Sequence, residues 1–246
     1  MAEVKKVALI TGANKGIGFE TAKQLGELGI TVVVAARDQK KADETAQKLK
    51  AAGLDAHPVV LEVTRSSDFP EVYKFLDATF GKLDILVNNA GVGEGTDLIK
   101  NTALTVDQKT LRSIFDTNFF GLIELTQALV PLLQKSPAGR IVNLSSILGS
   151  LTLHAAPDSP IAGTKIVAYN ASKAALNLFT IHLAAALKDT PIKVNSAHPG
   201  WVKTEMGTDA APMEIADGAK TSVRLATLPA DGPTGGYFHM DDTLPW

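Results

Sequence analysis

Short runs of consecutive apolar residues alternate along this chain with longer stretches in which apolar positions recur every three or four residues. Val7-Ala8-Leu9-Ile10 and Thr31-Val32-Val33-Val34-Ala35 are apolar or β-branched throughout, as strands buried on both faces must be. Further strands are predicted at 56–61, 83–87, 140–144 and 192–196, with Gly236-Tyr237-Phe238 as a last, edge strand. Between them the helical period predicts helices at 18–28, 40–52, 69–80, 106–133 and 168–188, the second and third closed by Gly53 and Gly81. The segment 106–133 reads as one long helix with a continuous apolar stripe.

Fully apolar strands separated by helices imply a parallel sheet covered on both faces. Right-handed crossovers make this a doubly wound, Rossmann-type α/β fold, whose ligands bind beyond the carboxyl ends of the strands. No linker-like composition shift or short repeat divides the 246 residues, so a single domain over 1–246 is expected. Hydrophobic residues make up 45% and charged residues 20%, the balance of a soluble globular protein. A formal net charge of -2 gives no electrostatic case for nucleic acid or an anionic membrane. No apolar run is long enough to span a bilayer. The chain has no Cys, which removes thiolate catalysis and Cys-ligated metal sites, and its five His show no ligand spacing, so no metal is expected. A cytoplasmic protein is the reading these features support.

The first strand runs into Thr11-Gly12-Ala13-Asn14-Lys15-Gly16-Ile17-Gly18 and then a helix. Glycines suit a tight turn whose backbone approaches a diphosphate, and the helix N-terminus adds free N–H groups and a favourable dipole. The spacing is T-G-x-x-x-G-x-G. More motifs follow in order: Asn88-Asn89-Ala90-Gly91, Asn118 within Thr117-Asn118-Phe119-Phe120-Gly121, Ser145-Ser146-Ile147-Leu148-Gly149, Tyr169-Asn170-Ala171-Ser172-Lys173, and Pro199-Gly200-Trp201-Val202-Lys203-Thr204. Six ordered motifs across nearly the whole chain resemble the short-chain dehydrogenase/reductase family, in its short-subunit, single-domain branch. Asn14-Lys15, the long approach to Tyr169 and the ending around Gly235-Gly236-Tyr237-Phe238 are similar to its carbonyl reductases.

Residues four apart on a helix share a face, which places Lys173 beside Tyr169. A phenol is a poor acid–base group near neutrality, with a pKa of about 10, and a nearby ammonium is expected to lower it. Reduction of a carbonyl needs a hydride at carbon, which a nicotinamide supplies, and a proton at oxygen. The resemblance implies Tyr169 as proton donor and Lys173 as its electrostatic partner, which also holds the nicotinamide ribose. It implies Ser146 as the group orienting the substrate oxygen, with Ser145 supporting or capping, and Asn118 as part of a proton relay through water.

For the cofactor, the resemblance implies contacts from Gly12, Asn14, Lys15, Gly16, Ile17 and Gly18 in the loop. Glu62 and Val63 flank the adenine, Asn89, Ala90 and Gly91 line the ribose and sheet edge, and Pro199, Val202 and Thr204 meet the nicotinamide. The family more often carries Asp than Glu at position 62. An NAD site usually has a carboxylate at the end of the second strand. Here Ala36 and Arg37 stand there, and Arg37 with Lys15 offers two cations to a 2′-phosphate, so NADP(H) is expected. Asp38 follows and is a carboxylate able to face the same pocket.

Ser146 and Tyr169 are 23 positions apart, a wider gap than most short-subunit members have. The surplus, within 150–168, precedes the catalytic helix; it gates the pocket, blocks assembly, or is a tolerated surface loop. Residues 205–225, with Met206 and Met213, are expected to cover the substrate as a lid, with Trp201 and His154 lining the pocket. Apolar residues on several faces of 168–188 favour a dimer or tetramer. The expected activity is NADPH-dependent reduction of a small-molecule ketone or aldehyde. A secondary-alcohol or sugar dehydrogenase, a 3-oxoacyl-thioester reductase, and an NADP-sensing regulatory protein remain alternatives.

Overall fold

A computed structural model describes residues 5–93 and 101–246. Among the described residues, seven parallel strands and one antiparallel edge strand form a single sheet in the order β3-β2-β1-β4-β5-β6-β7-β8. The strands are β1 (Val7–Ile10), β2 (Thr31–Ala36), β3 (Ala56–Val60), β4 (Ile85–Asn88), β5 (Arg140–Leu144), β6 (Lys193–Ala197), β7 (Tyr237–His239) and β8 (Asp242–Thr243). The helices are α1 (Gly16–Glu27), α2 (Gln39–Ala51), α3 (Phe69–Phe80), α4 (Gln108–Phe115), α5 (Gly121–Leu133), α6 (Leu151–Ala155), α7 (Val167–Ala186) and α8 (Ile215–Ala226).

The absence of polar alternation in the strands has a direct cause. Successive side chains point to opposite faces, and each face meets its own core. Leu9, Val33, Leu86 and Ile141 enter one cluster with Leu76, Leu125 and Leu129. Their sequence neighbours Ile10, Val34, Val87 and Val142 enter the other, with Leu25 and Leu225. Strands are added outward on one side of β1 up to β3 and on its other side from β4, so β1 and β4, which are parallel, flank the switch point where a doubly wound sheet opens a crevice.

Four expectations change. The helix foreseen at 106–133 is three pieces: α4, a π-helical turn at Asp116–Phe120, and α5. A Cβ on Gly121 would lie 1.9 Å from the Val63 carbonyl oxygen, so this helix touches the backbone after β3, and the wider turn sits at that contact. Gly236-Tyr237-Phe238 is not the sheet edge, because β7 pairs with β6 on one side and with β8 on the other. Two exposed residues, Asp242 and Thr243, carry no strand signal in the sequence. Helix α1 begins at Gly16, inside the glycine loop rather than after it. Finally, the segment 205–225 is not one unit. Its second half is α8, with Gly218, Ala219, Thr221, Ser222 and Leu225 buried, and Gln24 of α1 donates to the Ala216 carbonyl at 2.9 Å. A helix built into the framework this way is scaffold, which leaves 205–214 as the irregular part.

Candidate active site

The glycine loop is fixed from below by the end of β4. Thr11 Oγ1 accepts from the N–H groups of Asn89 and Ala90, at 3.0 and 2.9 Å. Asn89 Nδ2 returns two bonds, to the carbonyls of Thr11 (2.8 Å) and Gly12 (3.2 Å). A Cβ on Gly18 would fall 2.3 Å from that amide nitrogen and 2.6 Å from the Gly12 oxygen, so only glycine lets α1 sit this close. Gly12 and Gly16 have φ of +61° and +57°, the left-handed region. Lys15 is the N-cap of α1 and makes no side-chain cap, so the helix N-terminus offers its N–H groups to an anion. Asn14 and Ile17 lie half-buried on the same loop. The donors, the dipole and the missing Cβ atoms fit a dinucleotide diphosphate.

The two expected cations both face carboxylates. Arg37 Nε lies 3.9 Å from Glu62 Oε2, and Lys15 is ion-paired with Glu205 across the loop. Glu62 also accepts from the N–H and hydroxyl of Thr64, at 3.3 and 3.2 Å, and Val63 beside it is buried. Asp38 is engaged elsewhere: it caps α2, accepting from Lys41 N at 2.9 Å and pairing with Lys41 Nζ at 3.0 Å. Those bonds hold its carboxyl below the usual range.

Past β5, Ser146 caps a 3₁₀ turn over Ile147–Gly149, its Oγ accepting from Leu148 N at 3.3 Å. A Cβ on Gly149 would lie 2.8 Å from the Lys173 carbonyl carbon, so this turn rests on the α7 backbone at the lysine. That contact gives a physical reason for the glycine three residues after Ser146. Tyr169 and Lys173 share one face of α7, with Lys173 Nζ 5.6 Å from the tyrosine ring centre. The ammonium donates to the Leu144 carbonyl at 2.8 Å. Lys173 is only 5% exposed, and burial lowers its pKa to about 8.

Tyr169 departs from expectation. Burial raises its pKa, and a hydrogen bond with Ser146 opposes that rise. Burial outweighs the favourable contributions, so the phenol stands above its ordinary range with Lys173 beside its ring.

Asn118, fully buried in the π turn, spends its amide on the fold. Its Oδ1 accepts from Val92 N (2.8 Å), and its Nδ2 donates to the Val92 carbonyl (2.9 Å) and to Ser172 Oγ (3.1 Å). It thus ties the loop after β4 to α7. Gly91 sits between them, where a Cβ would be 3.3 Å from Asn118 Oδ1 and 3.6 Å from Lys173 Nζ. Asn118, Ser146, Tyr169, Lys173 and Gly91 therefore converge on one locus, with Ala90 and Asn89 leading to the glycine loop.

The segment after β6 closes the other side. Val202 is buried and pairs with Met213 in an isolated bridge. A Cβ on Gly16 would be 3.6 Å from Thr204 Cγ2, which brings the Pro199–Thr204 stretch to the glycine loop. Trp201 is 56% exposed and donates through Nε1 to the Gly207 carbonyl at 2.8 Å. His154 is turned to the Leu148 carbonyl at 2.9 Å.

The family profile described as short chain dehydrogenase matches residues 6–215. The chain belongs to the short-chain dehydrogenase/reductase family. This short-chain dehydrogenase/reductase is 35% identical to (-)-isopiperitenone reductase of Mentha piperita, with 99% of each chain covered. The solved structure of salutaridine reductase from Papaver somniferum superposes with a TM-score of 0.80 at 32% identity, covering 97% of this chain and 100% of that one. NADPH-bound carbonyl reductase from chicken fatty liver superposes with a TM-score of 0.85 at 26% identity, covering 99% and 100%. An oxidoreductase of this family is thereby shown. Among the described residues, no helix is long and apolar enough to cross a membrane.

Two groups of residues at the site escaped the sequence. His198 accepts at Nδ1 from Ile147 N (3.2 Å) and Gly200 N (3.4 Å). Its place before Pro199-Gly200 was the only signal available. Tyr237, fully buried, stacks on Trp246 with ring centres 5.4 Å apart. Burial raises its pKa, and the neighbouring Tyr169 adds to the rise. Ser145 is likewise buried.

Proposed function

We propose that this enzyme reduces ketones or aldehydes to alcohols with NADPH, through Tyr169, Lys173, Ser146 and Asn118. The observation that carries the reading is the Tyr169 hydroxyl, hydrogen-bonded with Ser146 and flanked by a buried ammonium. A bound nicotinamide supplies the hydride. Tyr169 gives its proton to the carbonyl oxygen, and Ser146 holds that oxygen by a hydrogen bond. Burial suits Tyr169 to this direction, because a raised pKa keeps the phenol protonated at neutral pH. Lys173, charged below about pH 8, stabilises the phenolate left behind. Asn118 fixes the loop after β4 against α7.

NADPH is preferred over NADH because Arg37 and Lys15 offer cations where a carboxylate would repel a 2′-phosphate, and Asp38 is committed to capping α2. The NADPH in the carbonyl reductase neighbour supports the same choice. The diphosphate would lie on the N-terminus of α1 and Gly12 to Gly18, the adenine by Glu62 and Val63, the ribose by Asn89 to Gly91, and the carboxamide by Pro199, Val202 and Thr204.

The substrate is a small to medium apolar carbonyl compound. Exposed apolar side chains at Trp201, Met206 and Leu151 (56, 53 and 69%) support this, as does Met206 packing by Gly93. Residues 205–214 cover it, and the insertion at 150–168 borders it. Exposed Phe120, Leu178 and Ile181 favour a homo-oligomer, and the lack of Cys suits a reducing, cytoplasmic setting.

The test is NADPH oxidation by the purified protein over a panel of ketones, aldehydes, quinones and acyl thioesters, with NADH in parallel. Tyr169→Phe should lose turnover while retaining NADPH binding. Substantial turnover in that variant would overturn the assignment.

A further inference from the structure

We infer that His198 is a positioning residue, whose Nδ1 sets the spacing between the substrate-oxygen side and the nicotinamide side of the site. The inference rests on the carbonyl-reduction reading.

His198 follows β6 directly and is 8% exposed. Its backbone is pinned to β7, with its N–H donating to the Phe238 carbonyl at 2.7 Å. Its carbonyl contacts His239 Nδ1 at 3.0 Å, and the two rings lie 4.9 Å apart. The imidazole is therefore held from the sheet and has little freedom to choose another partner.

Its Nδ1 faces two backbone N–H groups, one across the site and one two residues further along its own segment. Ile147 N, at 3.2 Å, belongs to the residue after Ser146. Gly200 N, at 3.4 Å, opens the stretch that leads to Val202 and Thr204. Both are donors, so Nδ1 must be the lone-pair nitrogen and the ring must be neutral with its proton on Nε2. Burial, with the neighbouring His239, lowers the imidazole pKa to about 3, which keeps that state through the working range.

The other N–H groups of the serine turn are met inside the turn: Leu148 N by Ser146 Oγ and Gly149 N by the Ser146 carbonyl at 2.7 Å. The Ile147 N–H is held from outside, by His198. Loss of that acceptor frees the first residue after Ser146 and uncouples it from Gly200, whose φ of +90° already marks a tight bend. A shift there changes the approach of the carbonyl carbon to the hydride rather than the strength of cofactor binding.

The experiment compares His198→Asn, His198→Gln and His198→Leu in the full chain. The Asn side-chain oxygen replaces Nδ1 as an acceptor; the Gln oxygen reaches the Nε2 place instead; Leu replaces neither. The readout is kcat per NADPH-binding site, titrated by cofactor fluorescence, so that misfolded protein does not enter the rate. The expected result is retention within about threefold for Asn and a loss of about tenfold or more for Gln and Leu, the scale of one or two hydrogen bonds realised in the transition state. Asn falling as far as Leu, or Gln and Leu keeping wild-type kcat per site, overturns the proposal. Nitrogen-15 spectra of the wild-type protein give a second readout free of turnover. A proton on Nδ1 overturns the proposal even if the enzyme is fully active. No wild-type turnover with any carbonyl compound overturns the carbonyl-reduction reading, while the spectra still decide the role of Nδ1 as acceptor.

Discussion

Replacing Lys173 by Met should stabilise the folded chain in a way that depends on pH, because the lysine holds a charge in a place that resists one. The unfolded chain keeps this proton up to its ordinary pKa of 10.5, whereas the folded chain releases it at about 8. Between those values the unfolded state binds more protons, so the wild type gains stability from this group as pH rises through that window, and carries the whole penalty below it. At about 1.4 kcal/mol per factor of ten in proton affinity, the penalty at neutral pH is about 3 kcal/mol. At about pH 9.5 most of it has gone, leaving about 1 kcal/mol. The bond from Lys173 to the Leu144 carbonyl is lost in the variant at every pH. It lowers the level of the comparison without changing its slope. Urea denaturation of both proteins without cofactor, near pH 7 and near pH 9.5, measures the difference. The Met variant should lose about 2 kcal/mol of its advantage between the two conditions. A gap between the proteins that stays constant with pH refutes the claim that Lys173 is charged and desolvated in the folded state.

Two further outcomes concern the cofactor. Arg37→Asp should remove the preference for NADPH and raise relative efficiency with NADH, read as the ratio of kcat/KM for the two; an unchanged ratio refutes the role of Arg37. Glu205→Gln frees Lys15 from its ion pair and should tighten NADPH binding by up to about fivefold, the ceiling for an exposed pair of this kind, with the gain shrinking in high salt. Weaker binding in a fluorescence titration counts against Lys15 as a phosphate contact.

The strands and the order of the motifs were legible because burial on both sheet faces leaves an apolar run that no amphipathic helix mimics. The glycines at 12 and 18 were legible for a related reason, since tight approach of backbone to backbone excludes every side chain. Tyr169 and Lys173 could be paired from their spacing alone. The pKa of Tyr169 could not, because its direction depends on how deeply the hydroxyl is enclosed and on where the ammonium points. Asp38 looked like a rival for the phosphate pocket until its bond to Lys41 N showed it capping α2. The segment 205–225 looked uniform in composition, yet contacts to α1 and Val202 divide it, and those contacts are distant in sequence. The role of His198 was hidden for the same reason: its Ile147 partner is distant in sequence, and its place before Pro199-Gly200 does not by itself mark an acceptor nitrogen.

The π turn at Asp116–Phe120 fixes the rotational phase of everything before it. An α-helix advances about 100° per residue. Gly121 N reaches back five residues to the Asp116 carbonyl, so one more residue is fitted into that turn than an α-helix holds. Removing it would restore a regular helix and rotate α4 by about that angle relative to α5. Ile114 would leave the core, and the Asn118 amide would swing away from Val92 and Ser172. The residue count of this one turn thus decides whether the Asn118 amide reaches both the loop after β4 and α7.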